Sequence, residues 1–292
     1  VRGEDRLAGY REIAEARMAE LLPPDDWEPR PLHQAMRYSA LAPGKRLRPA
    51  LCMAACEAVG GKRSQALDAG CALEFVHCFS LIHDDLPAID DDDLRRGRAT
   101  CHIVFGEAIA ILAGDALMAL AFDVLTRMEA NDKQKTRAVR ILAQSLGSTG
   151  LVAGEVLDIL SEGEEVDRDL VQRIHAWKTG ALISASCEMG ALLGGADAGP
   201  VEALARYGRE VGMAFQIQDD ILNETATADQ LGKAVGSDRA RSKQTFPAAI
   251  GLEQSRREAD RATQGALHAL EGLPGDTTTL RELALYSVSR EV

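Results

Sequence analysis

The sequence predicts an all-α protein, a single large helical bundle forming one domain over residues 1–292. Three observations carry this. The chain is 46% hydrophobic, mostly Ala, Leu, Val and Ile, but only 4% aromatic, and Ala and Leu are strong helix formers. Apolar residues recur at helical spacing, with no convincing run of strand alternation. Pro23-Pro24, Pro43-Gly44 and Gly60-Gly61 break the periodic stretches.

The elements follow in order. Residues 4–21 read as an amphipathic helix stopped by Pro23 and Pro24. A second helix covers about 31–41, and Pro43-Gly44 breaks it before the basic stretch Lys45-Arg46-Leu47-Arg48. Pro49 suits the first turn of a helix through about Val59, which Gly60-Gly61 ends. Residues 65–85 form a long apolar helix running into an acidic segment, and Pro87 ends it. Further helices cover about 107–129, 133–149, 151–160 and 167–193, the last interrupted near Lys178-Thr179-Gly180. The helix at about 200–222 carries a second acidic segment, a polar Gly-containing loop covers about 223–241, and two or three helices complete the chain. The helices at 65–85 and 200–222 are apolar except at their ends, so they belong in the middle of the bundle.

Composition narrows the function. The net charge of −12 gives no basic face for nucleic acid. The six cysteines (52, 56, 71, 78, 101, 187) form no CxxC pair or zinc-like grouping and read as buried, reduced thiols of a cytoplasmic protein. No apolar run is expected to reach the length of a membrane span. No basic, apolar signal segment opens the given sequence, and its start at Val1 reads as trimmed or processed.

Six aspartates lie within the ten residues Asp84–Asp93. Carboxylates at the inner end of an apolar core helix need cations, and hard cations such as Mg²⁺ take oxygen ligands shared with substrate phosphates. The stop at Pro87 lets Asp90 turn back towards Asp84. His77, seven residues before Asp84, shares its face, with Ser80 between them. In the second segment Gln216, Asp219, Asp220 and Asn223 follow an i, i+3, i+4, i+7 pattern, a polar stripe on an apolar helix. Basic residues flank these segments: Lys45 and Arg48 at a Pro-Gly turn, Arg95 and Arg96 after the aspartates, Lys178 in the interrupted helix, and Lys233 in the later loop. Metal plus Arg and Lys around one cavity suits a highly charged anion such as a diphosphate.

The stretches GKRLRP (44–49), SLIHDDLPAIDDDDLRRG (80–97), GDAL (114–117), KTGAL (178–182), FQIQDDIL (215–222) and LGKAVGSD (231–238) occur in that order. With them the chain resembles the trans-isoprenyl diphosphate synthases, or polyprenyl synthetases, and looks most like the bacterial farnesyl diphosphate synthases. The long first motif is highly specific. The resemblance implies an all-α homodimer with a central cavity in each subunit, about three Mg²⁺ per site, and isopentenyl and allylic diphosphates as substrates. By motif match, Asp84, Asp90 and Asp219 would ligate Mg²⁺, with Asp85 and Asp220 close by. Arg95, Lys178, Thr179, Gln216 and Lys233 would hold the allylic diphosphate, and Lys45, Arg48, His77 and Arg96 isopentenyl diphosphate. Lys178 and Thr179 would also stabilise the carbocation.

Two positions depart from the family pattern. Asn223 stands where the second motif usually ends in Asp, which is expected to weaken one metal site. Glu155 stands where the family usually has Gln, placing a carboxylate that could repel diphosphate or recruit metal. Product length is assigned by resemblance to Phe79, five residues and about 7.5 Å below Asp84 along a helix, although helical angle places Ser80 more directly beneath it. A large ring there implies a C15 product, farnesyl diphosphate. The alternatives are a geranylgeranyl diphosphate synthase, a non-catalytic synthase subunit, and a terpene cyclase, which needs no second diphosphate site.

Overall fold

The computed structural model describes residues 2–225 and 243–289. The predicted helices are present, with small shifts at their ends. They are α1 (Arg2–Leu21), α2 (Arg30–Ala40), α3 (Leu47–Ala58), α4 (Arg63–Asp84), α5 (Cys101–Phe105), α6 (Glu107–Arg127), α7 (Asp132–Leu146) and α8 (Leu151–Leu160). Then follow α9 (Arg168–Ile174), α10 (Ala181–Leu193), α11 (Ala198–Thr225), α12 (Phe246–Ile250), α13 (Leu252–Ala269) and α14 (Thr278–Ser289). The interruption expected near Lys178 is a π-helical turn, His175–Gly180, between α9 and α10. Such wide turns are found mostly at functional sites.

Local chemistry explains several boundaries. Asn131 caps α7 by accepting from Gln134 N at 2.9 Å, and the Gln134 side chain reaches back to Asn131 N. Asp167 accepts from Asp169 N at 3.0 Å at the start of α9. A hairpin too short to leave an alternation signal, β1 (Leu94–Arg95) with β2 (Arg98–Ala99), follows the aspartates.

The central helices are those the apolar patterning selects. α4 packs against α3 and α6, α10 against α3 and α11, and α11 against α13. Leu73, Phe75, Val76, Leu117 and Leu142 fill one core region, and Leu51, Met53, Leu204 and Tyr207 a second. Each such side chain contributes roughly 1.5–3 kcal/mol when removed from water. Gly190 lets α10 touch α3, since a Cβ there would strike the carbonyl oxygen of Cys52. All six cysteines are free and buried.

One expectation needs correction. α6 is long and apolar enough by composition to cross a membrane, although no run of that length was expected. Asp115 and Asp123 interrupt it in sequence and disguise it. In the fold, Ala110, Ala113, Leu117 and Ala121 face the core, and α6 lies against α4 and α2. Its opposite side leaves Ile111 and Leu112 exposed.

Candidate active site

The first acidic segment begins where α4 ends. Asp90 N donates to Asp84 O at 2.8 Å, so the chain does fold back after Pro87. Burial, reinforced by the nearby carboxylates of Glu155 and Asp90 and opposed by Lys178 and Arg95, pushes Asp84 up to about 7. Burial holds this carboxyl group high despite the two nearby cations.

Asp85 is 3% exposed and engages Arg95, whose Nη2 lies 2.6 Å from Oδ1 and whose Nε donates at 2.8 Å. Arg95, on β1, returns to α4, while Arg96, in the hairpin turn with a left-handed backbone of φ 53°, reaches the 43–48 turn and donates to Pro43 O at 2.6 Å.

That turn is organised by a residue the sequence reading passed over. Arg46 adopts a left-handed backbone, φ 49°, and is 3% exposed. Its guanidinium donates to Glu15 at 3.1 Å, to Glu74 at 3.3 Å and to Ala42 O. Arg48 Nε is buried and makes no hydrogen bond. His77 is held well below its usual value by burial, then by Arg48, Arg96, Arg95 and Arg46. A small cavity of about 60 Å³ is lined by Arg46, His77, Arg95 and Arg96 among others. Several cations around a neutral imidazole, with one guanidinium nitrogen unsatisfied, favour an anion there. Lys45 is exposed, its Nζ 5.7 Å from the centre of the Tyr286 ring.

A second cavity, of about 230 Å³, is lined by Asp158, His175, Lys178, Thr179, Gln216, Asp219, Asp220, Asn223, Lys243 and neighbours. Here α8, the π turn and α11 meet. Gly154 brings α8 so close that a Cβ would strike the Lys178 backbone nitrogen. Lys178 Nζ lies 2.6 Å from Asp158 Oδ2 and 2.8 Å from Glu155 Oε2. Burial works against its charge, but Asp158, Glu155 and Asp84 outweigh that and hold it above its usual value. Thr179 Oγ1 donates to Gln216 Oε1 at 2.9 Å. Lys243 Nζ lies 3.1 Å from Asp90 and 3.7 Å from Asp158, joining the acidic segment to α8.

The two aspartates of α11 differ. Asp219 lines the cavity. Asp220 is 6% exposed, and its Oδ2 accepts from Phe246 N at 2.9 Å and lies 3.3 Å from His175 Nε2. It therefore also ties α11 to α12 and the π turn. Phe79, beneath Asp84, is 7% exposed and meets the His83 ring edge-on at 4.8 Å, and Ser80 Oγ donates to His77 O at 2.9 Å.

The fold thus places Asp84, Asp90, Lys178, Thr179, Gln216, Asp219, Asp220 and Asn223 around one region, and His77, Arg48, Arg95 and Arg96 around its neighbour. Lys233 and most of the 223–241 loop lie outside the described residues. Sequence reasoning missed Asp158, Lys243, Arg46, Glu74 and His175. Asp158 was within reach, one turn from Glu155 on the same face. A larger cleft, of about 820 Å³, takes Ala176, Trp177 and Gly180 from the same π turn but none of the predicted site residues.

No three His, Cys, Asp or Glu residues form a ready metal cage among the described residues. The donor set still fits a Mg²⁺-like ion, which keeps several waters and needs only one or two carboxylates plus substrate phosphates. Asp84, raised by burial and by the neighbouring carboxylates, would gain most from such an ion.

A family model described as polyprenyl synthetase matches residues 29–271. The chain is 47% identical over 252 residues to geranylgeranyl pyrophosphate synthase 4 of Arabidopsis thaliana, covering 85% of this chain and 68% of that one. It is 47% identical over 272 residues to heterodimeric geranylgeranyl pyrophosphate synthase large subunit 1, chloroplastic, of the same plant, covering 90% and 73%. The crystal structure of geranylgeranyl pyrophosphate synthetase from Pyrococcus horikoshii Ot3 superposes with a TM-score of 0.92 at 31% identity, covering 99% of both chains. The chain belongs to the polyprenyl synthetase family and is an all-α prenyltransferase.

Proposed function

We propose that this prenyltransferase condenses an allylic diphosphate with isopentenyl diphosphate, each held in its own pocket, the isopentenyl pocket cationic and the allylic pocket completed by metal. The observation that carries this reading is the pair of neighbouring sites. One is built on Arg48, Arg96 and His77, the other on Lys178, Thr179 and the aspartates. A cyclase would have no use for the first.

Lys45, Arg48, His77 and Arg96 hold isopentenyl diphosphate, with Arg46 fixing the turn that carries two of them. Lys178, Thr179, Gln216 and Lys233 hold the allylic diphosphate, with Arg95 braced by Asp85. Asp84, Asp90 and Asp219 are the metal ligands, Asp85 and Asp220 supporting them. When bound, Mg²⁺ supplies positive charge to the leaving diphosphate, and about three ions per site suit its charge. The allylic C–O bond breaks with its electron pair going to diphosphate. The double bond of isopentenyl diphosphate attacks the cation, forming the new C–C bond. A proton is lost to the departing diphosphate, leaving a trans double bond. Lys178 and Thr179 stabilise the developing cation by their local dipole and oxygens, and water has to be kept from it.

For product length, a C20 product, geranylgeranyl diphosphate, is the better-supported reading, because curated relatives at 46–47% identity carry that name. The expected C15 product keeps one specific support, the Phe79 ring buried beneath Asp84. Product analysis with dimethylallyl and isopentenyl diphosphates decides between them, and a C15 main product would sink the C20 reading. Turnover by the purified chain alone removes the non-catalytic alternative.

The active form is a homodimer. Exposed Ile103, Val104, Ile111, Leu112, Val156, Ile159 and Leu160 on α5, α6 and α8 give the apolar surface such an interface needs.

A further inference from the structure

We propose that Glu155 is a positioning residue that withholds Lys178 from diphosphate until a divalent cation arrives, and so sets the metal dependence of diphosphate capture. This rests on the cavity between α8, the π turn and α11 being the allylic diphosphate site.

The argument starts from what each charge touches. Lys178 Nζ sits between Glu155 Oε2 and Asp158 Oδ2, at 2.8 and 2.6 Å. The two carboxylates are three residues apart on α8, hence on one face. Asp158 has a second cation to serve, Lys243 at 3.7 Å, and Lys243 is also held by Asp90 at 3.1 Å. Glu155 makes its one ion pair, among the described residues, with Lys178. It is therefore a dedicated holder of that ammonium group.

The backbone cannot relieve this arrangement. Gly154 places α8 directly against the Lys178 backbone. The ammonium group has three N–H donors, two of them turned to carboxylates, so a phosphate oxygen has to compete with Glu155 and Asp158 for its charge. Among the described residues and without metal, this corner sets Asp84, Glu155 and Asp158 beside Lys178, with Lys243 between Asp90 and Asp158 and Arg95 engaged by Asp85. An arriving diphosphate meets an excess of negative charge, which a divalent cation reverses. Glu155 contributes one unit of that excess and also competes for the lysine. Replacing it by Gln keeps the shape and a hydrogen-bond acceptor but removes the charge.

The test is calorimetric binding of inorganic pyrophosphate to the full chain, with chelator and with saturating Mg²⁺. Glu155→Gln should tighten metal-free binding by roughly tenfold, the effect of removing one nearby like charge, and change binding in Mg²⁺ much less. Glu155→Asp, which keeps the charge, should stay near the wild-type metal-free affinity. In Glu155→Gln/Lys178→Ala the gain should shrink to the part owed to the removed like charge alone, because the rest acts through Lys178. In turnover at limiting Mg²⁺, Glu155→Gln should lower KM for the allylic diphosphate and leave KM for isopentenyl diphosphate unchanged. An unchanged metal-free affinity in Glu155→Gln, an equal gain in Glu155→Asp, or a gain undiminished by loss of Lys178 would each overturn the proposal. Wild-type protein that fails to bind pyrophosphate even in Mg²⁺ would overturn the reading of the cavity and the proposal with it.

Discussion

Thr179 Oγ1 donates to Gln216 Oε1 at 2.9 Å, joining the π turn to the helix that carries Asp219. The bond fixes the amide of Gln216 and the hydroxyl of Thr179 at the cavity wall. Thr179→Val should lower kcat/KM for the allylic diphosphate by roughly tenfold, the scale of one lost positioning bond of about 1 kcal/mol or slightly more. Thr179→Ser should retain most activity. In steady-state kinetics the double change with Gln216→Leu should be less than additive, because both remove the same bond.

The buried Arg46–Glu74 pair supports the turn that presents Lys45 and Arg48. Glu74 is 3% exposed, like Arg46, so removing it strands a buried guanidinium with only Glu15 as a charged partner. Glu74→Ala should cost about 3 kcal/mol or more in urea denaturation. The same variant should raise KM for isopentenyl diphosphate more than KM for the allylic substrate.

His175 gives a pH dependence with a defined sign. Burial first, then Lys178, lowers its pKa to about 3, with Asp158 opposing. The folded state keeps it neutral, whereas the unfolded chain protonates it near 6.5. The stability tied to the neutral ring is present above about 6.5 and is lost as pH falls towards 3. The loss approaches about 1.4 kcal/mol per pH unit in that window. His175→Gln should show a shallower decline between pH 6.5 and 4 in chemical denaturation. An unchanged slope would show that the ring does not titrate as described.

Phe79 is the proposed floor beneath Asp84, and its substitution tests that proposal. Phe79→Ala should shift the product distribution towards longer chains by at least one five-carbon unit, read by chromatography of the dephosphorylated products. It should also cost about 3–5 kcal/mol of stability, as deletion of a buried ring does. A shorter or unchanged product would exclude Phe79 as the floor.

Leu112 is 53% exposed on α6, and the proposed homodimer would bury it. Under that proposal, Leu112→Arg should shift dimer to monomer in sedimentation velocity, since an unpaired charge in an apolar interface costs several kcal/mol. A dimer of unchanged affinity would place the interface elsewhere.

The helical class, the helix order and the two acidic segments could be read from sequence because each is a local property. A 3.6-residue apolar period, a Pro or Gly break, and a run of aspartates after a core helix all lie within a few neighbouring residues. The motifs extended that reading to the family. What the residues do to one another depended on tertiary approach. Lys178 looks like a free phosphate-binding cation in sequence, and only the contact at Gly154 shows it held by Glu155 and Asp158. Arg46 reads as one more basic residue beside Lys45 and Arg48, but Glu74, 28 residues away, makes it a buried support. Asp219 and Asp220 are adjacent in sequence, yet Phe246 N and His175 engage only the second in the contacts described. The apolar length of α6 is a sequence property that two aspartates interrupt, and only the fold decides which side is buried on α4 and which exposed. Local periodicity determines which segments are helices. Coulombic and packing contacts between segments distant in sequence decide which charges remain available to a substrate.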